Sequence, residues 1–475
     1  MSDLIFKRSV RIERAAAGVF SWHEKPGAFE RLTPPWMQVQ VTGRSGGIRD
    51  GATVNLRSKL GPKWVNWAVE HRDYVEGAQF RDVQRSGPFA SWEHLHRVEP
   101  VAVDVEGTDA REAVVRDASV LTDEITYQLP WGAAGRLFGG GFARRELSRL
   151  FNYRHAVTQA DNELAARFRS VRPMRIMIAG ASGVIGRALV PFLQTQGHSV
   201  TRLVRRAAAA GAEEVSWSPA EGKLDPHAMR GVDVVINLCG EGVADTRWTP
   251  ERKAAILSSR VDATRTLVAA IAAVRLERLR PFVMISASAT GIYGNRGDDV
   301  LSEEATTGEG FLAGVCAAWE REAIAAEELG VRVVRLRTGV VLTPAGGALK
   351  KMLPAFRIGL GGRLGSGRAW FSWIAIDDVV GAIYHAVLDR RCGGAVNAVA
   401  PQAVTNAEFT RTLARVLRRP AWAAAPRFAL KLGLGEMADE ALLASARAVP
   451  VKLTEAGYEF REPTLEGALR HVLGR

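Results

Sequence analysis

Residues 175–186 constrain this chain more than any other stretch. A short apolar run, Arg175-Ile176-Met177-Ile178-Ala179, leads directly into Gly180-Ala181-Ser182-Gly183-Val184-Ile185-Gly186. The loop then opens an apolar helix carrying Leu189, Val190 and Leu193. Glycines at these spacings meet three separate needs. The first allows a tight turn out of the strand, the second lets a diphosphate approach the backbone, and the third lets helix and strand pack closely. Free N–H groups and the positive end of a helix suit an anionic ligand. A glycine string alone is weak evidence, but between this strand and this helix it points to a bound dinucleotide.

The next strand pattern, Ser199–Val204, ends in Arg205-Arg206. A site selective for NAD places an acid there, about 20 residues past the loop, to hold the ribose hydroxyls. An acid would repel a 2′-phosphate, whereas an arginine pairs with it bidentately. The expected cofactor is therefore NADP(H), with NAD(H) as the alternative. A further strand, Val232–Leu238, ends in a second glycine-bearing turn, Leu238-Cys239-Gly240-Glu241-Gly242, expected to cover the adenine side of the cofactor. Phe282–Ser288 and Val331–Arg337 read as further strands, with helices at Thr249–Val274 and Phe311–Leu329. Strands alternating with helices predict an α/β, doubly wound parallel sheet of the Rossmann type, with ligands at the carboxyl ends of the strands.

The chain is too long for one such domain. Its 475 residues suggest two or three. A long helical pattern over roughly Phe138–Phe168 is broken by Pro173, and the first apolar strand follows at once. We therefore expect residues 1–170 to form one domain, 174–400 the nucleotide-binding domain and 401–475 a small C-terminal lobe. Met174 resembles the start of a formerly independent protein, which would make the chain a fusion. The net charge of +12 is spread without a block of like charges, so no nucleic-acid footprint is expected. The three cysteines are far apart and odd in number, which leaves neither a disulfide framework nor a CxxC metal site and fits a reducing cytoplasm. No signal peptide and no membrane span are expected.

Residues 1–170 read as a strand, a helical segment, six more strands and one long helix. The strands are expected at Leu4–Arg14, Gln38–Thr42, Gly51–Ser58, Lys63–His71, Gln79–Arg85, Ser91–Glu99 and Ser119–Gln128. With the fragments "GPFASWEHLHRVE" and "LTDEITYQLPWG", this order resembles the START-like, polyketide-cyclase-type α+β helix-grip fold. That resemblance implies an apolar cavity holding a hydrophobic ligand. Trp92, His94 and His96 share one strand face, either lining that cavity or decorating a solvent-facing sheet. No third ligand stands near them in sequence at metal-site spacing, so no metal is expected.

The second part resembles the extended short-chain dehydrogenase/reductase superfamily over roughly Met174–Val399. The motifs are GASGVIG, "NLCGEG", "SASATGIYG", "RLRTGVVL" and "FSWIAIDDVVGAI". The tail from "LGEMADEALL" onward and "TRWTPERKAAILSSRVDATRTL" resemble one epimerase-like, NAD-dependent epimerase/dehydratase subgroup without a settled substrate. The resemblance implies cofactor contacts from Glu241 and Arg260, with Ser286 beside them. It also implies a catalytic Tyr with Lys four residues later on one helix, but none of the six tyrosines here has that lysine. Aligning the helix by Glu320 puts Leu312 at the Tyr position and Cys316 at the Lys position. Ser288 matches the serine that hydrogen-bonds a substrate carbonyl, and Tyr293 is the one phenol placed to replace the missing acid. Cys316 is expected to be a buried helical thiol, and Asp377 and Asp378 to cap a helix. Two functions stay open: an NADP-dependent oxidoreductase or epimerase-like enzyme acting on a small molecule, or a non-catalytic NADPH-binding redox sensor or hydrophobic-ligand carrier.

Overall fold

The computed structural model describes residues 3–101, 117–275 and 282–475. They form two compact units, one essentially Met1–Arg172 and the other essentially Pro173–Leu473. Among the described residues, no helix is long and apolar enough to cross a membrane.

The first unit is a seven-stranded antiparallel sheet with one long helix. Strand β1 (Leu4–Ile12) is followed by helices α1 (Ala16–Glu24) and α2 (Ala28–Arg31). Then come β2 (Val39–Ser45), β3 (Thr53–Leu60), β4 (Lys63–Val75), β5 (Gln79–Ser86), β6 (Ser91–Pro100), β7 (Ser119–Gln128) and helix α3 (Gly132–Arg167). The spatial order is β1-β7-β6-β5-β4-β3-β2. Burial along β7 alternates at every residue, the pattern of a sheet with one face covered. Phe6, Trp92, Ile125, Tyr127, Leu147 and Phe151 form a core between sheet and α3. Helix α3 begins at Gly132, ahead of the Phe138 expected from apolar periodicity, because its first turns are exposed and carry no buried stripe. Phe138 is 84 % exposed, and burial starts at Leu147. Arg31 of α2 donates to both carboxylate oxygens of the fully buried Asp161 of α3, at 2.8 and 3.1 Å. Trp92, His94 and His96 all point inward, which settles their face.

The second unit contains a parallel sheet in the order β10-β9-β8-β11-β12-β13-β14. Its strands are β8 (Arg175–Ala179), β9 (Ser199–Val204), β10 (Glu214–Ser216), β11 (Val234–Asn237), β12 (Val283–Ala289), β13 (Arg332–Thr338) and β14 (Gly394–Ala398). All pair in parallel. Every residue of β11 is buried, as expected for a sheet covered on both faces. The connections run outward in opposite directions from β8, so a crevice opens at the carboxyl ends of β8 and β11. The main helices around it are α4 (Val184–Thr195), α5 (Pro250–Arg275), α6 (Phe311–Ile324) and α7 (Ile376–Leu388).

Residues 401–473 lie in the same compact unit as the sheet. One expectation changes here. Asp377 and Asp378 lie inside the first turn of α7 and do not cap it, since Ala375 holds the cap position. Asp378 instead accepts from the N–H groups of Arg461 and Glu462, at 2.7 and 3.0 Å, and Asp377 pairs with His471 at 2.8 Å. Helix α7 is buried along nearly its whole length, so its acids meet incoming backbone rather than water.

Candidate functional site

The loop after β8 needs its glycines for steric reasons visible in the structure. Gly180 adopts φ +83, and a Cβ there would stand 2.7 Å from the Leu238 carbonyl carbon. A Cβ on Gly186 would meet Gly180 O at 2.5 Å and Ala181 Cα at 2.6 Å. Gly183 is less crowded, its nearest atom being Gly180 O at 3.2 Å. The loop therefore lies against the Leu238–Cys239 turn after β11, while Ala181, Ser182, Val184 and Ile185 carry the chain into α4.

Helix α5 braces that second turn. Arg252, Ile256, Arg260 and Thr264 are spaced four residues apart and so share one helix face. Arg260 donates to Glu241 O at 3.1 Å and Ile256 O at 2.8 Å, and its guanidinium lies 5.1 Å over the Trp319 ring. Arg252 pairs with the Glu241 carboxylate at 3.2 Å, and Ser259 Oγ accepts from Glu241 N–H at 3.1 Å. Asn237 ties β11 to α5 through Thr264, at 2.9 Å. Gly240 faces the Arg260 guanidinium, 2.9 Å from where a Cβ would stand. The sequence reading missed Arg252, Ser259 and Thr264, although the four-residue spacing of Arg252, Arg260 and Thr264 was there to be read.

Arg205 and Arg206 both follow β9, but they differ. Arg206 is committed to Glu214 of β10, with two hydrogen bonds of 2.8 and 2.9 Å. Arg205 is exposed and makes no hydrogen bond or ion pair among the described residues. Both line an open pocket of about 680 Å³ with Ser216, Ser218, Lys223 and Asp225, which gives it three cations, two hydroxyls and one carboxylate. Burial raises the Cys239 thiol to about 12, partly opposed by Arg205. Ser286, in register with Asn237, has a buried Oγ without a hydrogen-bond partner. Such an orphan, level with the end of the neighbouring strand β11, suits a bound ligand.

The catalytic corner is more closed than the motifs suggest. Ser288 Oγ donates to Glu320 Oε1 at 2.7 Å. Arg337 grips the same carboxylate with bonds of 2.9 and 3.0 Å, and Arg335 adds one of 3.2 Å. Tyr293 is fully buried. Its hydroxyl donates to Asn397 Oδ1 at 2.6 Å and accepts from Arg337 at 3.1 Å. Burial raises its pKa, and Arg337 only partly offsets this. The structure thus places Tyr293 in a buried network rather than facing the crevice. Cys316 is buried as expected, and burial pushes its thiol up to about 11. Leu312 and Cys316 stand beside Gly291.

This geometry defines a dinucleotide-binding fold of the short-chain dehydrogenase/reductase kind. Residues 176–398 match the model of the NAD dependent epimerase/dehydratase family, and residues 425–472 match a domain of unknown function, DUF1731. An epimerase family protein of Mycobacterium bovis is 45 % identical over 300 residues, which are 63 % of this chain and 98 % of the relative. Human epimerase family protein SDR39U1, solved with NADPH, is 30 % identical with a TM-score of 0.56, over 63 % of this chain and 99 % of that one. A nucleoside-diphosphate sugar epimerase from Corynebacterium glutamicum is 32 % identical with a TM-score of 0.76, and that match covers 99 % of this chain and 90 % of that one. The chain belongs to the NAD dependent epimerase/dehydratase family. Within it, the chain sits with the SDR39U1-like proteins that carry the DUF1731 segment.

Proposed function

We propose that this chain binds NADP(H) in the crevice between the Gly180–Gly186 loop and the Leu238–Gly242 turn, and that it is an oxidoreductase or epimerase-like protein of atypical catalytic machinery. The carrying observation is the unpartnered Arg205 at the end of β9, in a pocket whose other charged lining residues are Arg206, Lys223 and Asp225, with Arg206 paired to Glu214 and Lys223 to Glu221. It is placed to meet a 2′-phosphate, with Arg206 held by Glu214 as its neighbour. NADH is the weaker alternative. The orphan Ser286 Oγ offers a donor toward the bound cofactor, and Arg260 holds the turn against it. The bound cofactor would supply the hydride chemistry, and a small-molecule carbonyl or sugar would be its partner.

In this reading the Tyr-Lys pair is missing, and no residue at the aligned positions 312 and 316 replaces its proton relay. General acid–base help is worth about 10²–10⁴-fold, so turnover is slow. Ser288 is the residue that would meet a carbonyl, but its proton is directed to Glu320. Tyr293 acts as a positioning residue. The same features support a second reading, a non-catalytic NADPH sensor or ligand carrier. We also propose the START-like helix-grip identity for residues 1–170, with the exposed Trp131, Leu137 and Phe138 marking the entry for an apolar ligand. Residues 174–400 then act as the cofactor domain and 401–475 as its extension. A reducing, cytoplasmic setting accords with the three free thiols.

Fluorescence titration of NADPH and NADH, followed by single-turnover carbonyl reduction, tests this. Tighter NADPH binding is expected, with slow reduction that falls in Ser288→Ala. Equal affinity for both cofactors would remove the 2′-phosphate reading. Fast turnover that is lost in Tyr293→Phe with unchanged NADPH binding would return that phenol to the chemistry.

A further inference from the structure

The N-terminal unit holds a cluster of side chains that the reading above does not use. We propose that Asp82, His94 and His96 bind one divalent transition-metal ion of the zinc type. Strand register builds the site. Asp82 of β5 stands opposite His94 of β6, and the two-residue step to His96 keeps both imidazoles on one face. On the other side of β5, His71 of β4 is the partner of Asp82. The ligand was invisible along the sequence because it comes from a neighbouring strand. The ligand atoms of Asp82, His94 and His96 lie within 4.8 Å of one another.

The distances, one of them a long hydrogen bond, also suit a shared ion. Asp82 Oδ2 is 3.6 Å from His94 Nδ1 and 3.4 Å from His96 Nε2. Nitrogen and oxygen ligands bound at about 2.0–2.1 Å to a tetrahedral ion stand roughly 3.3–3.4 Å apart. The far side of each imidazole meets Asp123 of β7. His94 Nε2 donates to Asp123 Oδ1 at 2.8 Å, and His96 Nδ1 lies 2.8 Å from the same oxygen. The other oxygen of Asp123 meets His155 Nε2 of α3 at 2.5 Å. For His94, an outer carboxylate that holds Nε2 leaves the Nδ1 lone pair for a metal.

Four of the ten buried side-chain nitrogens and oxygens lacking a hydrogen-bond partner among the described residues fall in this cluster: His71 Nδ1, Asp82 Oδ1, His96 Nδ1 and His155 Nδ1. His71 Nδ1 and Asp82 Oδ1 are 2.7 Å apart but off the hydrogen-bonding direction, which sets His71 beside the carboxylate from the neighbouring strand. Two imidazoles and a carboxylate suit zinc, cobalt or ferrous iron, whereas calcium and magnesium take oxygen ligands. Two carboxylates, Asp82 and Asp123, balance the charge of a divalent ion. Phe80 stacks on His96 at 4.2 Å and Phe151 meets His94 edge-on at 5.2 Å, fixing both rings. The Asp82 side chain is 22 % exposed, which leaves an entry path.

The test uses the full-length protein, stripped with a chelator and titrated with Co²⁺ and then Zn²⁺. One equivalent of Co²⁺ is expected, with visible ligand-field bands that Zn²⁺ abolishes. Asp82→Asn and His94→Gln should each weaken binding about 10–100-fold, with circular dichroism as the control for folding. If the parent binds no Co²⁺ and keeps no zinc after gel filtration, the cluster is an ion-free histidine–aspartate ladder and the proposal falls. Unchanged affinity in folded variants would overturn it equally. The parent titration decides even if a variant does not fold.

Discussion

The two sheets of this molecule handle buried polar groups in opposite ways. In the antiparallel unit, residues directly opposite across strands have side chains on the same face, so His71, Asp82, His94, His96 and Asp123 accumulate in the interior. In the parallel unit β11 is apolar up to Asn237 at its end, Ser286 and Ser288 stand in the middle and second half of β12, and Arg335 and Arg337 of β13 meet one buried acid, Glu320. A sheet covered on both faces leaves polar chemistry little room except at its edges and ends. The difference shows where ligands can sit: across the strands in the first unit, beyond their carboxyl ends in the second.

The strongest challenge to that comparison is to break a buried charge pair in the first unit. Asp161→Asn removes half of the Arg31 pair, whose side chains are 4 % and 0 % exposed. A loss of about 3–5 kcal/mol is expected in the denaturant unfolding of that unit, because the buried guanidinium loses its carboxylate charge. NADPH affinity should not change; a parallel loss of affinity would mean that the two regions are not separable in function.

The next effect is smaller and belongs to the second unit. In Gly186→Ala the new Cβ meets backbone atoms of the loop, which cannot rotate away. Overpacking of this kind costs about 1–3 kcal/mol, so NADPH should bind about 10–100-fold more weakly by fluorescence titration. Full affinity in a folded Gly186→Ala protein would show that the loop does not hold the diphosphate.

Arg205→Ala should narrow the preference for NADPH over NADH by about tenfold, the lower end for a charged hydrogen bond of about 1.5–3 kcal/mol. Arg206→Ala should narrow it less, because Glu214 already occupies that guanidinium. The reverse ranking would assign the 2′-phosphate to Arg206. Least visible is thiol reactivity. With Cys239 near 12 and Cys316 near 11, both stay protonated at pH 8, and the native protein should alkylate there far more slowly than the unfolded chain. Rapid labelling of either at pH 8 would contradict the burial that sets those values.

Much of this was legible in the sequence where the signal is local. The glycine loop, the strands around it and β7, whose bounds fall where alternation puts them, depend on neighbours a few residues apart. What was hidden depends on register or on long-range pairing. Glu320 between Ser288 and Arg337, Asp82 beside His94, and the backbone partners of Asp378 come from strands or tails far along the chain. Arg335 and Arg337 did carry a clue. Two of the three arginines of that strand turn toward the interior and require a buried acid, and Glu320 on α6 is that acid. The surroundings of Tyr293 were hidden for the converse reason. A phenol at a strand end looks available until Asn397 is known to hold its hydroxyl.

The anchoring of Asp378 also bears on the order in which the chain can mature. Its carboxylate is fully buried, and its amide donors lie more than 80 residues downstream, at Arg461 and Glu462. A ribosome releases the whole parallel sheet, through β14, well before those donors emerge. Until then α7 carries a carboxylate lacking those two donors, which is costly to bury. The nascent sheet therefore waits, part-assembled, for its own tail, and a stalled or clipped product ending before Arg461 would be a substrate for chaperones and proteases rather than a smaller working protein.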